Sequence, residues 1–281
     1  METLNNDGSL TRAVESIREA LPPEWNQPRT VAAPLTALIL GSGLGSLADK
    51  ITPALSIGYR EIPGFAASTA GGHRGELIFG TFNGRAIVAM AGRLHRYEGW
   101  SNRDVSFPVR VMHAIGATRL IASNAAGGLN PHLRVGDIVV MEDHIDWLFL
   151  AASKRSQPDA GDFARLSRPV YSQPLIEKAL QVARENGFRA RRGTYLATLG
   201  PTYETRAEYR LMRRLGADVV GMSTVPETLT AANLGMEVLA LSVVSNVANP
   251  DDAIVADHEE VLQAGDAAAG KLESIVRFVT G

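Results

Sequence analysis

The sequence has no cysteine, no strong excess of either charge and no apolar run long enough to cross a membrane. The absence of cysteine from all 281 residues excludes thiol catalysis, thiolate metal ligands and disulfide bonds. A membrane-spanning helix needs roughly 20 consecutive apolar residues, and the polar, acidic residues 1–7 do not have the pattern of a signal peptide. We therefore expect a cytoplasmic protein that makes no contact with a membrane.

The balance of charge and apolar content is that of an ordinary globular protein. With 28 Lys and Arg against 30 Asp and Glu, the net charge is -2, so no general basic surface for nucleic acid is indicated. Hydrophobic residues make up 45% and charged residues 21% of the chain, which is typical of soluble domains. No break in composition marks a linker and no segment repeats, so we expect a single domain over residues 1–281.

Segments with strand patterns alternate with segments of helical period along most of the chain. The predicted strands are 35–40, 76–82, 85–90, 119–123, 137–142, 193–199, 219–222 and 237–244, and the predicted helices are 10–21, 102–115, 174–186, 205–215, 226–234 and 258–278. This alternation predicts an α/β fold, a single domain with a mixed, mostly parallel central sheet flanked by helices. The antiparallel part comes from Asn83-Gly84, a dipeptide typical of hairpins. Residues 150–168 have no period and form either a mobile loop or a surface that another subunit orders.

Two groups of residues suit the binding of an anion. The GSGLG loop at 41–45 follows a strand, and its glycines allow backbone N–H groups and the Ser42 hydroxyl to approach a phosphate; a plain strand-to-helix turn is the alternative. Arg93, His95 and Tyr97 follow another strand and project from one side if the segment is extended. An arginine guanidinium beside a histidine suits an oxyanion. The alternative is a solvated basic turn that binds no ligand.

Three further segments offer small or hydroxyl-bearing residues close to predicted strands. His73 lies in the glycine-rich loop 71–75, where a packed core histidine is less expected than a polar donor. The segment 123–128 (SNAAGG) follows a strand with small residues and backbone N–H groups, which suits either a ligand or an unremarkable loop. Ser223 also follows a strand and brings a second hydroxyl to the same anion, unless it caps the next helix.

Partners for a nitrogen heterocycle follow two more strands. Glu204 is suited to accept hydrogen bonds from ring N–H groups, with Tyr203 packing against the ring face; alternatively, Glu204 only stabilises the dipole of the helix behind it. Asn246 stands at the end of an apolar strand. Its side chain donates and accepts at once, which suits the N7 and O6 edge of a purine.

Metal catalysis and serine hydrolase chemistry fit the sequence poorly. The six histidines include no H-E-x-x-H pair, and the run DHID at 143–146 predicts a solvated strand end rather than a ligand cluster. Ser42 lies in G-S-G rather than in the G-x-S-x-G elbow of serine hydrolases. Neither a zinc enzyme nor an esterase is therefore expected.

Taken together, these segments resemble the trimeric, low-molecular-mass purine nucleoside phosphorylase family. The resemblance covers the chain from Leu38 to the last helix. Several sequence motifs occur in the same order as in the family, and this combination is more specific than any single motif. The motifs are LILGSGLG, GGHRGEL, GRLHRYEGW, SNAAGGLNP, GPTYETRAEY, GADVVGMSTVPET, VVSN and DHEEVL.

The resemblance implies a role for each of the polar residues named above. Asn246, Glu204 and His95 are implied as catalytic residues. Phosphate is implied to bind Ser42, Arg93, His95, Ser223 and the backbone at Ala125, with His73 beside it. The implied ribose site is Tyr97, Met222 and His258, and the implied purine site is Tyr203, Glu204 and Asn246.

The activity implied by the resemblance is phosphorolysis of 6-oxopurine nucleosides such as inosine and guanosine. Phosphate is then a co-substrate that attacks C1′ while Asn246 and Glu204 stabilise the departing purine. This chemistry needs neither a metal nor an organic cofactor. The resemblance also implies a homotrimer whose partners are the purine nucleoside and phosphate.

Two segments depart from the pattern of the family. Residues 146–153 read DWLFLAAS in place of the family's glycine-containing, Asn-Leu-rich stretch, whose phenylalanine reaches the ribose of a neighbouring subunit. Only Phe149 and Phe163 are candidates for that contact. The segment 247–257 looks shorter than in many relatives, which affects the placement of His258.

Four alternatives remain from the sequence. A methylthioadenosine phosphorylase generally has Asp where Asn246 stands, so Asn246 with Glu204 favours 6-oxopurines. A xanthosine-preferring enzyme differs by one oxygen at C2 and stays open. A hydrolytic nucleosidase or a non-catalytic nucleoside-binding protein would not need the full phosphate set. Fold by itself does not prove activity.

Overall fold

One nine-stranded sheet carries all the strands of the part of the chain that the structure describes. The computed structural model describes residues 3–27, 34–41, 45–66, 74–148, 168–248 and 258–281. The strands are β1 (Leu35–Leu40), β2 (Thr52–Gly58), β3 (Glu76–Phe82), β4 (Arg85–Ala91), β5 (Ala117–Gly128), β6 (Ile138–Asp146), β7 (Ala190–Ala197), β8 (Val219–Gly221) and β9 (Glu237–Val247). Their order is β2-β3-β4-β1-β5-β8-β7-β6-β9, with a further pairing of β5 and β9.

The sheet is mixed, as the alternation of strand and helix patterns together with the Asn83-Gly84 hairpin predicts. The parallel pairs are β1–β4, β1–β5, β5–β9, β6–β7 and β7–β8. The β3–β4 pair is an antiparallel hairpin whose turn residues Asn83 and Gly84 have φ values of 52° and 74°. Positive φ at both positions is what a two-residue hairpin turn needs. Strand β1 is buried at all six positions, as expected of an apolar strand in the interior of a sheet.

Five strands close on themselves within this sheet. β5 pairs with β9, β9 with β6, β6 with β7, β7 with β8, and β8 returns to β5. The closing contact is short, because β8 has three residues and meets β5 only at Gly127 and Gly128. The ring brings the carboxyl ends of β5, β8 and β9 to one place.

The helices pack in two groups against the sheet. They are α1 (Thr3–Ala20), α2 (Gly45–Ala48), α3 (Asn102–Ala114), α4 (Gln173–Glu185), α5 (Arg206–Arg214), α6 (Val225–Asn233) and α7 (His258–Thr280). α3 packs against α1 and α6, whereas α7 packs against α2 and α4. Among the described residues, no helix is both long and apolar enough to cross a membrane. The fold class predicted from the sequence, an α/β sheet flanked by helices, is confirmed.

The main differences from the predicted elements lie at strand ends. The segment 124–128, predicted to be a loop, continues β5, and 245–247 continues β9, because these two ends pair with each other. Gly127 stands opposite Asn246 and Gly128 opposite Val247. β2 was not predicted, and α1 begins seven residues earlier than the periodicity indicates. Small and polar residues have low strand propensity, so the sequence does not indicate a strand that forms because it pairs with a neighbouring strand.

Candidate active site

A cavity of about 140 Å³ lies where the carboxyl ends of β1, β5, β8 and β9 meet. Open α/β sheets generally build ligand sites at this edge. The backbone from Ala125 to Gly127 in β5 forms one wall, and the loops after β4, β7 and β8 complete the lining. The side chains that line it include Arg93, His95, Tyr97, Tyr203, Glu204, Tyr209, Met222, Ser223 and Asn246.

Arg93 is the most buried charged side chain of the cavity, with 2% of its surface exposed. Its Nη1 donates hydrogen bonds of 2.6 Å to Ser223 Oγ and of 2.6 Å to Thr224 Oγ1. Behind it, Nε lies 3.6 Å from Oε1 of the equally buried Glu227. The preceding turn is held in place by the hydroxyl of Tyr59, which donates to the carbonyl of Gly92 at 2.7 Å. A cation fixed in this way is prepared to meet an anion.

His95 is oriented by a carboxylate three residues further along. Glu98 Oε1 accepts from the His95 backbone N–H at 2.7 Å and lies 3.1 Å from Nδ1 of the ring. The ring stacks on Tyr97 with centroids 4.7 Å apart and an interplanar angle of 15°. The extended segment predicted through Tyr97 is wrong, because Arg96–Glu98 form a turn of 3-10 helix. The turn nevertheless keeps His95 and Tyr97 on the same cavity wall.

A buried tyrosine anchors the loop that carries Ser223. The Ser223 backbone N–H donates to the hydroxyl of Tyr195 at 3.2 Å. Burial raises the pKa of Tyr195 to about 12, so the phenol stays neutral at physiological pH. On the other side of the loop, Asn124 of β5 donates through Nδ2 to Thr224 Oγ1 at 2.8 Å. The hydroxyls of residues 223 and 224 are therefore fixed from the sheet.

Glu204 presents a partly buried carboxylate to the same cavity. Thr198 donates to its Oε1 at 3.0 Å, and the hydroxyl of Tyr209 also forms a hydrogen bond with it. Burial raises the pKa of Glu204, and the two hydroxyl donors act in the opposite direction. Burial, together with the charge of Glu204, raises the pKa of Tyr209 to about 12. Thr205, not Glu204, caps the following helix through a hydrogen bond to the Glu208 N–H.

Asn246 faces Gly127 across the β5–β9 pairing. Ser245 donates to its Oδ1 at 2.9 Å, so the amide oxygen is engaged and the Nδ2 hydrogens remain to donate to a ligand. A neutral purine with a 6-oxo group offers acceptors at N7 and O6, which match such donors. The cavity therefore combines a carboxylate acceptor at Glu204 with an amide donor at Asn246.

Tyr203 and Met222 complete the lining on the side of the cavity towards the loop after β7. Tyr203 is 43% exposed, so a large part of its ring is available to cover a ligand. Gly200 has φ +70°, and a Cβ there would lie 2.3 Å from Met222 Sδ and 3.2 Å from Tyr97 Cδ1. Only glycine allows this approach, which holds Met222 and Tyr97 close to each other.

Several residues singled out in the sequence lie outside the described residues. These are Ser42, His73, Phe149 and Phe163, together with most of the segment 150–168. His258 begins α7, but its side chain is outside the described part. The neighbouring Gly41 and Val261 do line the cavity. The structure thus brings together Arg93, His95, Tyr97, Ala125, Tyr203, Glu204, Met222, Ser223 and Asn246.

The sequence did not single out the supporting residues of the site. Each supporting residue contacts a residue that lines the cavity or the turn before it. These residues are Tyr59, Glu98, Tyr195, Tyr209 and Glu227. The last three lie within a strand or a helix. Only Glu98, three residues after His95, gives a local signal, since that spacing is typical of a capping box. Contacts across the sheet leave no such mark in the sequence.

Two other features carry no comparable chemistry. A cavity of about 630 Å³ lies near the amino ends of β5 and β9, but its charged residues are already engaged, because Arg119 pairs with Glu237 at 2.8 Å and Arg18 donates to the Ala114 carbonyl.

Within the described ranges, no group of three His, Asp or Glu is placed to hold a metal ion, and this includes the run 143–146. His144 instead faces the hydroxyl of Tyr171 at 3.1 Å.

Comparisons with known proteins give a consistent answer. The profile of the phosphorylase superfamily matches residues 36–279. Purine nucleoside phosphorylase of Rattus norvegicus is 44% identical over 264 residues, which cover 91% of each chain. Purine nucleoside phosphorylase 1 of Bacillus subtilis (strain 168) is 40% identical over 96% of this chain and 97% of that one.

Solved structures agree with the sequence comparisons. The crystal structure of Schistosoma mansoni purine nucleoside phosphorylase in complex with inosine is 37% identical, covers 97% of this chain and 95% of that one, and gives a TM-score of 0.83. A structure of the same enzyme in complex with adenosine gives a TM-score of 0.81 at 37% identity, covering 96% of this chain and 95% of that one.

Proposed function

Because this chain belongs to the phosphorylase superfamily and, within it, to the purine nucleoside phosphorylases, we propose that it cleaves 6-oxopurine nucleosides with inorganic phosphate. Inosine and guanosine are the substrates, and the products are the free base and ribose 1-phosphate. The observation that carries the proposal is that one cavity is lined both by Arg93 with Ser223 and by Glu204 with Asn246. The first pair suits an oxyanion and the second suits a purine.

The anion binds at Arg93, His95 and Ser223, with the backbone at Ala125. Arg93 supplies a buried, fixed positive charge, and charged hydrogen bonds of this kind are about twice as strong as neutral ones. The family resemblance assigns Ser42 and His73 to the same anion; both lie outside the described residues. A water-excluded site strengthens each of these interactions, since the effective dielectric constant is low.

The ribose lies between the anion and the base. Tyr97, stacked on His95, and Met222, held close by Gly200, cover the sugar. The family resemblance assigns His258 to the 5′-hydroxyl. We also propose a homotrimer, in which Phe149 and Phe163, both outside the described residues, are the candidates for a contact with the ribose of a neighbouring subunit.

The reaction exchanges one bond at C1′ for another. The C1′–N9 bond breaks early, its electron pair leaves with the purine, and the ribose gains oxocarbenium character. The bound phosphate stabilises this cation and then forms the new C1′–O bond from the face opposite the base. Asn246 donates to N7 and O6 of the departing purine, while Glu204 holds N1–H. Both act as preorganised groups aimed at charge that develops in the transition state, and the fixed position of phosphate supplies much of the rest.

No part of this chemistry calls for a metal or an organic cofactor. Phosphate is the co-substrate, and the charge that the transition state develops is met by side chains of the chain itself. The preference for 6-oxopurines rests on Asn246, since its available amide hydrogens match acceptors at N7 and O6 and not a 6-amino donor. The complex of the Schistosoma mansoni enzyme with adenosine makes adenosine the informative competitor.

The experiment that tests this function is the release of free base from inosine and from adenosine, each with and without phosphate. We expect rapid release from inosine that depends on phosphate and yields ribose 1-phosphate. Release without phosphate would identify a nucleosidase. Preference for adenosine would favour a 6-aminopurine enzyme, and absence of turnover would favour a nucleoside-binding protein.

A further inference from the structure

Thr224 has a backbone conformation that threonine avoids. Its φ and ψ are 76° and -44°, and it is completely buried. The other described non-glycine residue with positive φ is Asn83, in the hairpin turn where such a value is ordinary. The Val225 N–H donates to the Ser223 carbonyl at 2.9 Å, so Thr224 is the centre of a γ-turn of the rare, strained form. Backbone strain of this kind is concentrated at functional sites.

Helix capping does not explain this threonine. Thr224 precedes α6, but its side chain makes no capping hydrogen bond. In contrast, Ser101 and Thr205 each accept a hydrogen bond from the third residue of the helices that follow them. The Thr224 hydroxyl is used elsewhere, because the γ-turn directs it towards Arg93 and Asn124.

The hydrogen bonds around Thr224 fix the direction of its own hydroxyl hydrogen. A hydroxyl has one donor and two acceptor positions. Thr224 Oγ1 accepts from Arg93 Nη1 at 2.6 Å and from Asn124 Nδ2 at 2.8 Å, so both acceptor positions are occupied. Its own hydrogen therefore donates to Ser223 Oγ, 3.0 Å away.

The same count then applies to Ser223. Its Oγ accepts from Arg93 Nη1 at 2.6 Å and from Thr224, so it too has no acceptor position left. The remaining hydrogen of Ser223 is left to donate. Its acceptors are the Tyr195 hydroxyl, with which Ser223 shares a side-chain hydrogen bond, and an anion in the cavity that Ser223 lines. A hydroxyl that can only donate is matched to an anion, which can only accept.

We propose that Thr224 is a positioning residue of the phosphate site, whose hydroxyl makes Ser223 an obligatory hydrogen-bond donor and holds Arg93 beside it. This inference rests on the proposed function, since it takes the anion at Arg93 and Ser223 to be phosphate. The strained γ-turn is the local cost of placing two hydroxyls 3.0 Å apart on one guanidinium nitrogen.

The test compares Thr224→Val, which removes the hydroxyl at nearly constant shape, with Thr224→Ser, which restores it. We expect Thr224→Val to raise the phosphate KM about tenfold or more, since hydrogen bonds to charged groups contribute about 1.5–3 kcal/mol, while the inosine KM changes less than about twofold. Thr224→Ser should return the phosphate KM to near the wild-type value. The matched control is Thr228→Val, which removes a buried hydroxyl one turn further along α6 that bonds to the Val225 carbonyl and should leave the phosphate KM unchanged.

A double-mutant cycle separates positioning from a loss of stability. If Thr224 acts through Ser223, Thr224→Val should raise the phosphate KM by a clearly smaller factor in the Ser223→Ala background than in wild type, where only the contact of Thr224 with Arg93 is left to lose. Should Thr224→Val fail to fold, Thr224→Ala and Thr224→Ser provide the same comparison. A phosphate KM that Thr224→Val or Thr224→Ala leaves within twofold of wild type overturns the inference, and so do fully additive effects in the cycle. Failure of the proposed function can be distinguished from failure of this inference, because the wild-type protein itself would then show no phosphate-dependent cleavage.

Discussion

Arg93 and Glu227 face each other in the protein interior, with Nε and Oε1 3.6 Å apart and each side chain 2% exposed. Burial raises the pKa of Glu227, and the charge of Arg93 opposes that shift. The carboxylate is thus the counter-ion that allows a guanidinium to stay charged beneath the cavity. The cation is held in position by contacts within the protein itself.

Removal of this counter-ion is expected to destabilise the fold. Glu227→Gln leaves the charge of Arg93 uncompensated, and breaking a buried pair typically costs about 3–5 kcal/mol. Urea denaturation measures the free energy of unfolding. Glu237→Gln serves as the control, since Glu237 pairs with Arg119 but is half exposed, where a pair contributes about 0–1 kcal/mol. Equal losses in both variants would show that Glu227 is not an ionised partner of Arg93.

Replacement of Arg93 should act mainly on phosphate. Arg93→Lys keeps the charge opposite Glu227 but loses the fork that reaches both hydroxyls, so we expect the phosphate KM to rise at least tenfold. Arg93→Ala should raise it further. Steady-state kinetics at saturating inosine measures the effect. Arg119→Lys, far from the cavity, is the control, and a phosphate dependence unaltered in Arg93→Lys and Arg93→Ala would remove Arg93 from the site.

The base site should respond to a change of one side-chain atom. Asn246→Asp replaces the amide donor with an oxygen, while Ser245 can still donate to the other oxygen. We expect the ratio of kcat/KM for inosine to that for adenosine to fall by about tenfold or more, because a mismatched polar group is left unpaired. Both nucleosides are measured at the same phosphate concentration. Unchanged discrimination would contradict the assignment of Asn246 to N7 and the C6 substituent.

The acid limb of the pH profile should depend on the hydroxyls around Glu204. Burial, with a smaller contribution from Glu208, raises the pKa of Glu204, whereas hydrogen bonds from Thr198 and Tyr209 lower it. The ionised carboxylate accepts from N1–H much more strongly than the protonated acid does, so kcat/KM should fall as the pH falls through a pKa above the ordinary value for Glu. Tyr209→Phe removes one donor and should move this limb to higher pH.

The matched variant Thr198→Val removes the other hydroxyl donor to the same carboxylate. It should shift the acid limb in the same direction as Tyr209→Phe. The phosphate KM at the pH optimum should stay close to that of wild type in both variants. An acid limb that stays in place in both would mean that Glu204 is not the group that controls it.

Much of the fold follows from the sequence because its signals are local. Hydrophobic periodicity and the Asn83-Gly84 turn can each be recognised from a few neighbouring residues. The same holds for the glycines that follow helices with positive φ, which are Gly187, Gly216 and Gly235. The ends of β5 and β9 were missed, since SNAAGG has no strand propensity and is ordered by its partner strand. Register across a sheet is a property of two distant segments, and one segment cannot reveal it.

The candidate site divides in the same way. Residues that line the cavity follow strands and carry polar groups, so Arg93, Ser223 and Asn246 could be found from position and residue type. Their supports could not, because Glu227 lies within a helix and Tyr195 within a strand, where each reads as an ordinary residue of its element. A tyrosine that accepts one N–H from 28 residues away has no sequence signature.

The closed ring of five strands has a consequence for how the molecule folds. It joins residues near Ile138 to residues near Val243. Such distant pairings form slowly, because the entropy of closing a long loop is lost before the stabilising contacts form. β5, β8 and β9 all contribute walls of the cavity, so no partly folded chain that lacks the ring has a site. During refolding, helical signal should therefore return before catalytic activity.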